Sequence, residues 1–256
     1  MTEFTVEFKN GIHLMPHSKP SAPLSQHHFT AMTDKGQRYR GFLIPVALTL
    51  AAVVALCVDV PVALTLKNWR ANSIFHVFLD FFDLFEPFGH GLGLALVLVV
   101  LHQLDPRRRW ALPRVAACAL ASGGLADVVK MLVVRIRPHD FAFDGSVWTT
   151  FDFTQWFPML SAGSGGQSFP SAHTAVAVGL AAALTRLYPQ GRLLFSAWAI
   201  FVGCQRIVSG AHYPSDVLMG AAVGYLVALL FLKVGCLPKW FDRQEERWQS
   251  KQLGDG

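Results

Sequence analysis

Six apolar stretches, at about residues 42–66, 88–104, 110–134, 171–188, 192–209 and 215–235, are each long enough to cross a bilayer, and they leave this chain few folds. Lipid offers no partner for backbone N–H and C=O groups, so a crossing segment satisfies them internally as a helix of roughly 17–25 apolar residues. A content of 52% hydrophobic and 15% charged residues, with mean hydropathy +0.37, fits that picture and not an ordinary soluble domain. The expected fold class is all-α: a polytopic membrane protein built as a six-transmembrane-helix bundle. Ahead of the second stretch, Phe75, Phe78, Leu79, Phe82 and Phe85 recur at helical spacing, with Asp80, Asp83 and Glu86 offset from them. This predicts an interfacial helix or an early start to the second span.

Orientation follows from the Lys and Arg content of the short connections. Arg107, Arg108, Arg109 and Arg114 join spans two and three, and Arg186 and Arg192 join spans four and five. Lys35, Arg38 and Arg40 precede span one, while Lys239, Arg243 and Arg247 follow span six. These regions are expected on the cytoplasmic side, which puts both termini inside, an arrangement compatible with a bacterial inner membrane. Residues 1–40 read as a polar tail, with Pro16, Pro20 and Pro23 and without the apolar core of a signal peptide. Residues 41–236 form the six-span domain, with 138–170 as an outer loop, and 237–256 form a cytoplasmic tail. A net charge of +5 and a pI near 9.2 raise the question of nucleic acid, but the basic residues are scattered between apolar segments and form no single face, so nucleic acid is not expected as a partner. Cys57, Cys118, Cys204 and Cys236 show no metal-ligand spacing and read as buried free thiols.

Ionisable residues at the ends of apolar segments are costly and are functional candidates by default. They fall in three clusters: Lys130 with Arg137-Pro138, Pro170-Ser171-Ala172-His173, and Arg206 with His212 and Asp216. The topology was set by hydropathy and by the Arg-rich connections elsewhere, yet all three clusters land on the same outer face. Lys130 and Arg137 are two helical turns apart, a spacing that puts two cations on one face, suited to an anion or to snorkelling at the interface. Pro170-Ser171 opens span four, where free N–H groups attract phosphate, although a capping serine followed by a packed histidine explains the same string. Asp216 can reach back one turn to His212, fixing its tautomer; the alternative is a capping Ser215 with a first-turn acid. Taken together, the helix ends supply three cations, two histidines and a carboxylate, an inventory that fits in-line attack on a phosphoryl group.

Lys-x6-Arg-Pro at 130–138, Pro-Ser-x-His at 170–173 and Arg-x5-His-x3-Asp at 206–216 resemble the three-part signature of the type 2 phosphatidic acid phosphatase superfamily, over about residues 88–235. Its membrane branch has six spans with the site on the outer face. The resemblance implies a lipid phosphate monoester or diphosphate as substrate and no metal or other cofactor. It implies that His212 is the nucleophile that becomes a phosphohistidine, that Asp216 orients and activates it, and that His173 protonates the leaving oxygen. Lys130, Arg137 and Arg206, with Ser171 and the backbone at Ala172, would hold the phosphoryl oxygens. Two positions depart from the family pattern: Ala172 stands where glycine is usual, and Gln205 where serine is usual. Neither removes a group that carries a proton or a charge.

Two other functions use the same residues: a lipid phosphotransferase with the same intermediate, and a transporter whose cations hold an anionic lipid at helix ends. A soluble haloperoxidase-like relative is disfavoured by the apolar spans. Asp59 and Asp127 are acids in apolar runs and candidates to partner a cation, Asp127 with Lys130 three residues on. The run from Gly163 to Ser168 lacks a following Gly-Lys-Ser/Thr, so it is a flexible approach to span four and not a nucleotide loop. Phe141, Phe143, Trp148, Phe151, Phe153, Trp156 and Phe157 make the outer loop aromatic, as membrane anchors or as flanks for an acyl chain. The oligomeric state is left open by the sequence.

Overall fold

The computed structural model describes residues 35–70, 72–154 and 165–254, with side chains described between 41 and 250. Trp156, Phe157, Gly163, Ser164 and the tail up to residue 34 lie outside the described residues.

The described chain is mostly helical. Helix α1 (Lys35–Trp69) carries Ala52, Ala55, Asp59 and Ala63 as a buried stripe at helical spacing, while Leu50, Val53, Val54 and Val58 are exposed. Helix α2 (Ser73–Asp83) is capped by Asn72, whose Oδ1 accepts from the Ile74 N–H at 3.0 Å, and it buries none of its own residues. It is separated from α3 (Gly91–Leu104) by a 3-10 turn at Glu86–Gly89, so it is a distinct helix and not an early start of the second span. The remaining helices are α4 (Leu112–Lys130), α5 (Ala172–Leu187), α6 (Arg192–Val208), α7 (Pro214–Leu232) and α8 (Cys236–Gly254). Among the described residues four segments are long and apolar enough to cross a membrane: Gly41–Trp69, Pro106–Lys130, Pro189–Val208 and Pro214–Leu232. The apolar helices α3 and α5 are shorter.

Three expectations need correction. Helix α4 stops at Lys130 instead of running to 134: the chain turns at 131–132 and enters strand β1 (Val134–Arg135), so Arg137 does not share a helical face with Lys130. Residues 237–256 are not simply a tail, because α8 occupies most of them and is anchored to α4. Of the four cysteines only Cys118 is buried; Cys57 and Cys236 are exposed and Cys204 is intermediate.

Helix α5 is the centre of the bundle, packed against α4, α6 and α7, with α1 on the far side of α7 and α3 against α4. Close approach rests on small residues, the usual device where lipid removes a hydrophobic drive between helices. A Cβ added at Gly220 would lie 2.3 Å from the Ser171 carbonyl oxygen, and one at Gly224 would lie 2.4 Å from that of Ala175. These two glycines, one turn apart, let α7 lie directly on the start of α5. On the opposite flank a Cβ at Gly179 would lie 2.2 Å from Ser122 Oγ on α4. Below these contacts a core of Val115, Cys118, Leu180, Leu184 and Val202 fills the bundle.

Candidate active site

Small strands order the connection between α4 and α5 over the end of the bundle. Strand β1 pairs antiparallel with β2 (Phe151–Asp152), Val134 opposite Asp152 and Arg135 opposite Phe151. On its other edge the chain returns in parallel: Arg135 N–H donates to the Gly166 carbonyl at 2.9 Å, Arg137 N–H to that of Gly165 at 3.0 Å, and Ser168 N–H to that of Arg135 at 3.0 Å. Arg137 therefore reaches the site from a strand edge, and Ser168 arrives beside the start of α5. Pro170 and Ser171 follow at once, with Ser171 as the N-cap of α5. Its Oγ accepts from the Thr174 hydroxyl at 2.9 Å and lies 3.4 Å from the Thr174 N–H. Ala172 is helical, and among the described residues Phe143 is the only non-glycine with positive φ, so this site does not require glycine at 172.

The turn between α6 and α7 carries His212. Gly210 makes it possible: its φ is +68°, and a Cβ there would meet Arg70 Nη2 at 2.2 Å. Arg70 in turn donates to the Val208 carbonyl at 2.7 Å, and His139 N–H donates to the Gly210 carbonyl at 3.2 Å. His212 is buried, and its Nδ1 lies 2.6 Å from the Ser168 carbonyl oxygen. A carbonyl can only accept, so Nδ1 bears the proton and Nε2 keeps its lone pair. The carboxylate of Asp216 stands 3.8 Å from the same Nδ1, near enough for charge to act but beyond hydrogen-bond reach. Direct orientation of the ring thus falls to Ser168, a residue the sequence analysis did not single out. Asp216 itself is saturated: Oδ2 accepts from Ser168 Oγ at 2.6 Å and Tyr213 N–H at 2.9 Å, and Oδ1 accepts from Arg135.

The three cations meet at this pole. Lys130 is paired with Asp127 at 3.5 Å. Arg206 donates through Nη2 to Glu86 at 2.6 Å and through Nε to Gln205 Oε1, while Gln205 Nε2 donates to Asp83 at 2.8 Å. Gln205 therefore acts as a bracket that fixes the Arg206 fork against the α2–α3 connection, using a reach that serine lacks. Arg137 has a buried Nε with no hydrogen-bond partner among the described residues. His173, half-buried, stands 5.7 Å from His90, ring centre to ring centre, and lies within electrostatic range of Arg206, His212 and Lys130. Burial holds the pKa of His212 below the ordinary imidazole value; Asp216 opposes that shift, and Lys130 and Arg137 add to it.

All eight residues singled out as catalytic or phosphate-binding lie in the elements that converge on this pole. Sequence reasoning missed Ser168, Arg135, Glu86, Asp83 and His90. A usable signal existed for one of them: Arg135 is a cation among Val133, Val134 and Ile136, and Asp59 is an unpaired acid in another apolar run. Two opposite charges each stranded in apolar sequence are natural partners, and Arg135 Nη2 does donate to Asp59 at 2.7 Å.

Residues 110–235 match the family model of the PAP2 superfamily. A lipid A 1-phosphatase of Rhizobium johnstonii is 38% identical over 122 residues, 46% of this chain and 47% of that one. A decaprenylphosphoryl-5-phosphoribose phosphatase of Mycobacterium tuberculosis is 32% identical over 146 residues, 57% of this chain and 73% of that one. The crystal structure of Aquifex aeolicus LpxE superposes with a TM-score of 0.47 at 22% identity, over 62% of this chain and 87% of that one. The chain spans about half the length of the lipid A 1-phosphatases it matches. The family model spans all three signature clusters in order, and the 32% identical match covers 73% of the mycobacterial relative; on that ground this chain belongs to the PAP2 superfamily.

Proposed function

We propose that this chain is a membrane lipid phosphatase that hydrolyses a lipid phosphate monoester or diphosphate through a phosphohistidine on His212. The observation that carries this reading is the fixed tautomer of His212. With Nδ1 donating to Ser168, Nε2 offers a lone pair at a pole where Lys130, Arg137 and Arg206 gather to neutralise a phosphoryl group. In the first step Nε2 attacks phosphorus and the bond to the lipid oxygen breaks. The electron pair leaves on that oxygen, which takes a proton from His173. In the second step water attacks phosphorus, His173 takes its proton, and the P–N bond breaks to release inorganic phosphate and restore His212. The unpartnered Nε of Arg137, the Ser171 hydroxyl and the N–H of Ala172 at the start of α5 are the donors suited to the oxygens.

A lipid substrate suits the surroundings. A cavity of about 820 Å³ opens between α5, α6 and α7, one turn below the site at Thr174, Gly203 and Val217, and continues along apolar side chains towards Arg186 and Lys233. Relatives named as phosphatases of lipid A and of a decaprenyl-linked phosphoribose act on phosphates carried by large lipids, which agrees with such a cavity.

The same reading takes the bundle as six spans, with the site on the outer face, both termini cytoplasmic and the inner membrane of a bacterium as its place. Residues 41–236 are then the phosphatase domain. Helix α3 has 14 residues and α5 has 16, about 21 and 24 Å, short of a hydrocarbon core of roughly 30 Å. For α5 this costs little, because the helix is enclosed by α4, α6 and α7 and its ends need not reach the lipid surface. The 3-10 turn at Glu86–Gly89 extends the path of α3.

The decisive experiment is phosphate release by detergent-purified protein, with EDTA present, across a panel of lipid phosphates and diphosphates. His212→Ala is expected to lower turnover more than about 10³-fold while the variant still binds the lipid. Unchanged phosphate release by that variant would refute the reading, and loss of substrate phosphate without free phosphate would point to transfer onto another acceptor.

A further inference from the structure

The part of the site with most buried charge is not the part that meets phosphate. Arg135, Asp59 and Asp216 are each 0% exposed, and they come from β1, α1 and α7 respectively. The Arg135 guanidinium donates through Nη2 to Asp59 at 2.7 Å and through Nη1 to Ser215 Oγ at 2.7 Å and to Asp216, and its Nε donates to Thr150 Oγ1 at 3.1 Å. It lies between the rings of Phe151 and Tyr213, 4.5 and 4.1 Å from their centres. Asp59 also accepts from the Ser215 N–H at 3.0 Å and from the Ser215 hydroxyl. An acid on the first span thus caps the first turn of α7, a task normally done by a neighbour in sequence.

Stability alone is a weak reason for such a cluster, since buried ion pairs lose about as much in desolvation as they gain in attraction. Its position gives a better one. Arg135 holds Asp216, Asp216 holds the Ser168 hydroxyl, and the Ser168 carbonyl holds His212 Nδ1. The backbone of Arg135 grips the same Ser168 from the other side, through its carbonyl. The charge count matters as much as the geometry. One cation facing Asp216 alone would neutralise it. Because Arg135 is shared with Asp59, the cluster keeps one net negative charge, 3.8 Å from Nδ1 at its nearest oxygen. A negative charge there favours the positive charge that the imidazole acquires as Nε2 bonds to phosphorus.

We infer that Arg135 and Asp59 are positioning residues for the reaction: Arg135 aims His212 through Asp216 and Ser168, and Asp59, by sharing Arg135, keeps the cluster beside His212 net negative. Neither touches the substrate, so the effect falls on the rate of phosphohistidine formation and not on lipid binding. This inference rests on the reading of His212 as nucleophile.

The test uses the full chain in detergent, with Asp59→Asn and Arg135→Lys beside wild type. Three quantities are read: kcat, KM, and the amount and rate of acid-quenched phosphoenzyme from a radiolabelled lipid phosphate. Asp59→Asn keeps an oxygen for the Ser215 N–H, and removes the charge together with the acceptor that Arg135 and the Ser215 hydroxyl use. Its kcat per phosphorylatable site is expected to fall about tenfold, and that of Arg135→Lys, which loses the fork, about 10²-fold, the cost of a small misplacement. In both, KM stays within about threefold and the rate constant for phosphoenzyme formation falls by the same factor as kcat. A purely structural role gives the opposite pattern, with fewer phosphorylatable sites that turn over at the wild-type rate, and that result overturns the inference. If Arg135→Lys does not fold, Asp59→Asn decides alone. A wild type that releases phosphate while both variants match it per site sinks only the inference. A wild type without phosphate release or phosphoenzyme overturns the nucleophile reading and the inference with it.

Discussion

Two of the buried arginines in this bundle, one near each end, each sit between two carboxylates. At the candidate site Arg135 joins Asp59 and Asp216; at the other end Arg114 reaches Asp242 at 2.5 Å and Glu245 at 2.8 Å. The first set is wholly enclosed and completed by hydroxyls and backbone N–H groups, and it leads within two contacts to His212. The second ties helix to helix: Arg114 opens α4, both acids lie on α8, and Nη2 also donates to the Pro238 carbonyl at 3.2 Å. Asp242 keeps 18% of its side chain exposed, so water helps to solvate that pole. The same chemical unit therefore leads to the buried His212 ring in one place and docks the C-terminal helix in the other. What distinguishes them is what lies next to the carboxylate.

That contrast can be broken from either side. The largest expected effect is at the catalytic pole. On the proposed reading Arg206→Ala removes a cation that holds the phosphoryl group and should lower kcat by about 10²–10³-fold. Its thermal stability should fall only modestly, because Glu86 is 38% exposed and returns to water while the buried Gln205 Oε1 loses one donor. A loss of folding without a change in kcat per active site would place Arg206 with the docking set. The converse variant, Arg114→Ala, strands two acids at the opposite end of the bundle and should cost about 3–5 kcal/mol, read as a lowered Tm and faster proteolysis of α8. Its kcat per folded molecule should stay within about threefold; a selective fall in kcat would mean that the two poles are coupled.

Smaller effects sharpen the comparison through pH. Burial keeps the His212 pKa below the ordinary imidazole value, with Lys130 and Arg137 reinforcing the shift, so the neutral ring, the form the proposed attack needs, persists to lower pH than a free histidine allows. The acid limb of kcat/KM should accordingly lie below about 6.5, and a limb at or above that value would contradict the buried geometry. At the other pole burial pushes the Glu245 carboxyl up to about 7 against the pull of Arg114. The folded chain then holds the proton more tightly than the unfolded chain. Stability from this group is full below its ordinary value of 4.5 and is lost as pH rises towards about 7. Tm in detergent should decline across that window, and Glu245→Gln should flatten the slope; an unchanged slope would assign it to another group.

Much of this was legible because it is local. Apolar runs of spanning length give the helices to within a few residues, as at α6, expected over 192–209 and found at Arg192–Val208. Serine after proline before an apolar run gives the cap of α5 at Ser171. The end of α4 was not legible, because Val133, Val134 and Ile136 continue the apolar pattern beyond Lys130 and a two-residue strand has no periodicity to read. Nor was the Glu86–Arg206 pair, whose members lie in separate apolar segments with no spacing rule between them. The departure at Gln205 shows the limit from the other direction: its side-chain bonds to Arg206 and Asp83 are decided by a neighbouring helix.

The sequence by itself determined that this chain is a helical membrane protein and which three clusters are its candidates for phosphate chemistry, since hydropathy, caps and motif spacing act over a few residues. Only the tertiary structure decided how those clusters are aimed. The bonds that do so join residues 44, 76, 81 and 156 positions apart, from Ser168 to His212, from Asp59 to Arg135, from Arg135 to Asp216 and from Asp59 to Ser215. Such bonds form because burial removes water and leaves each charge no partner except another stranded polar group, and which group that is depends on how the helices pack.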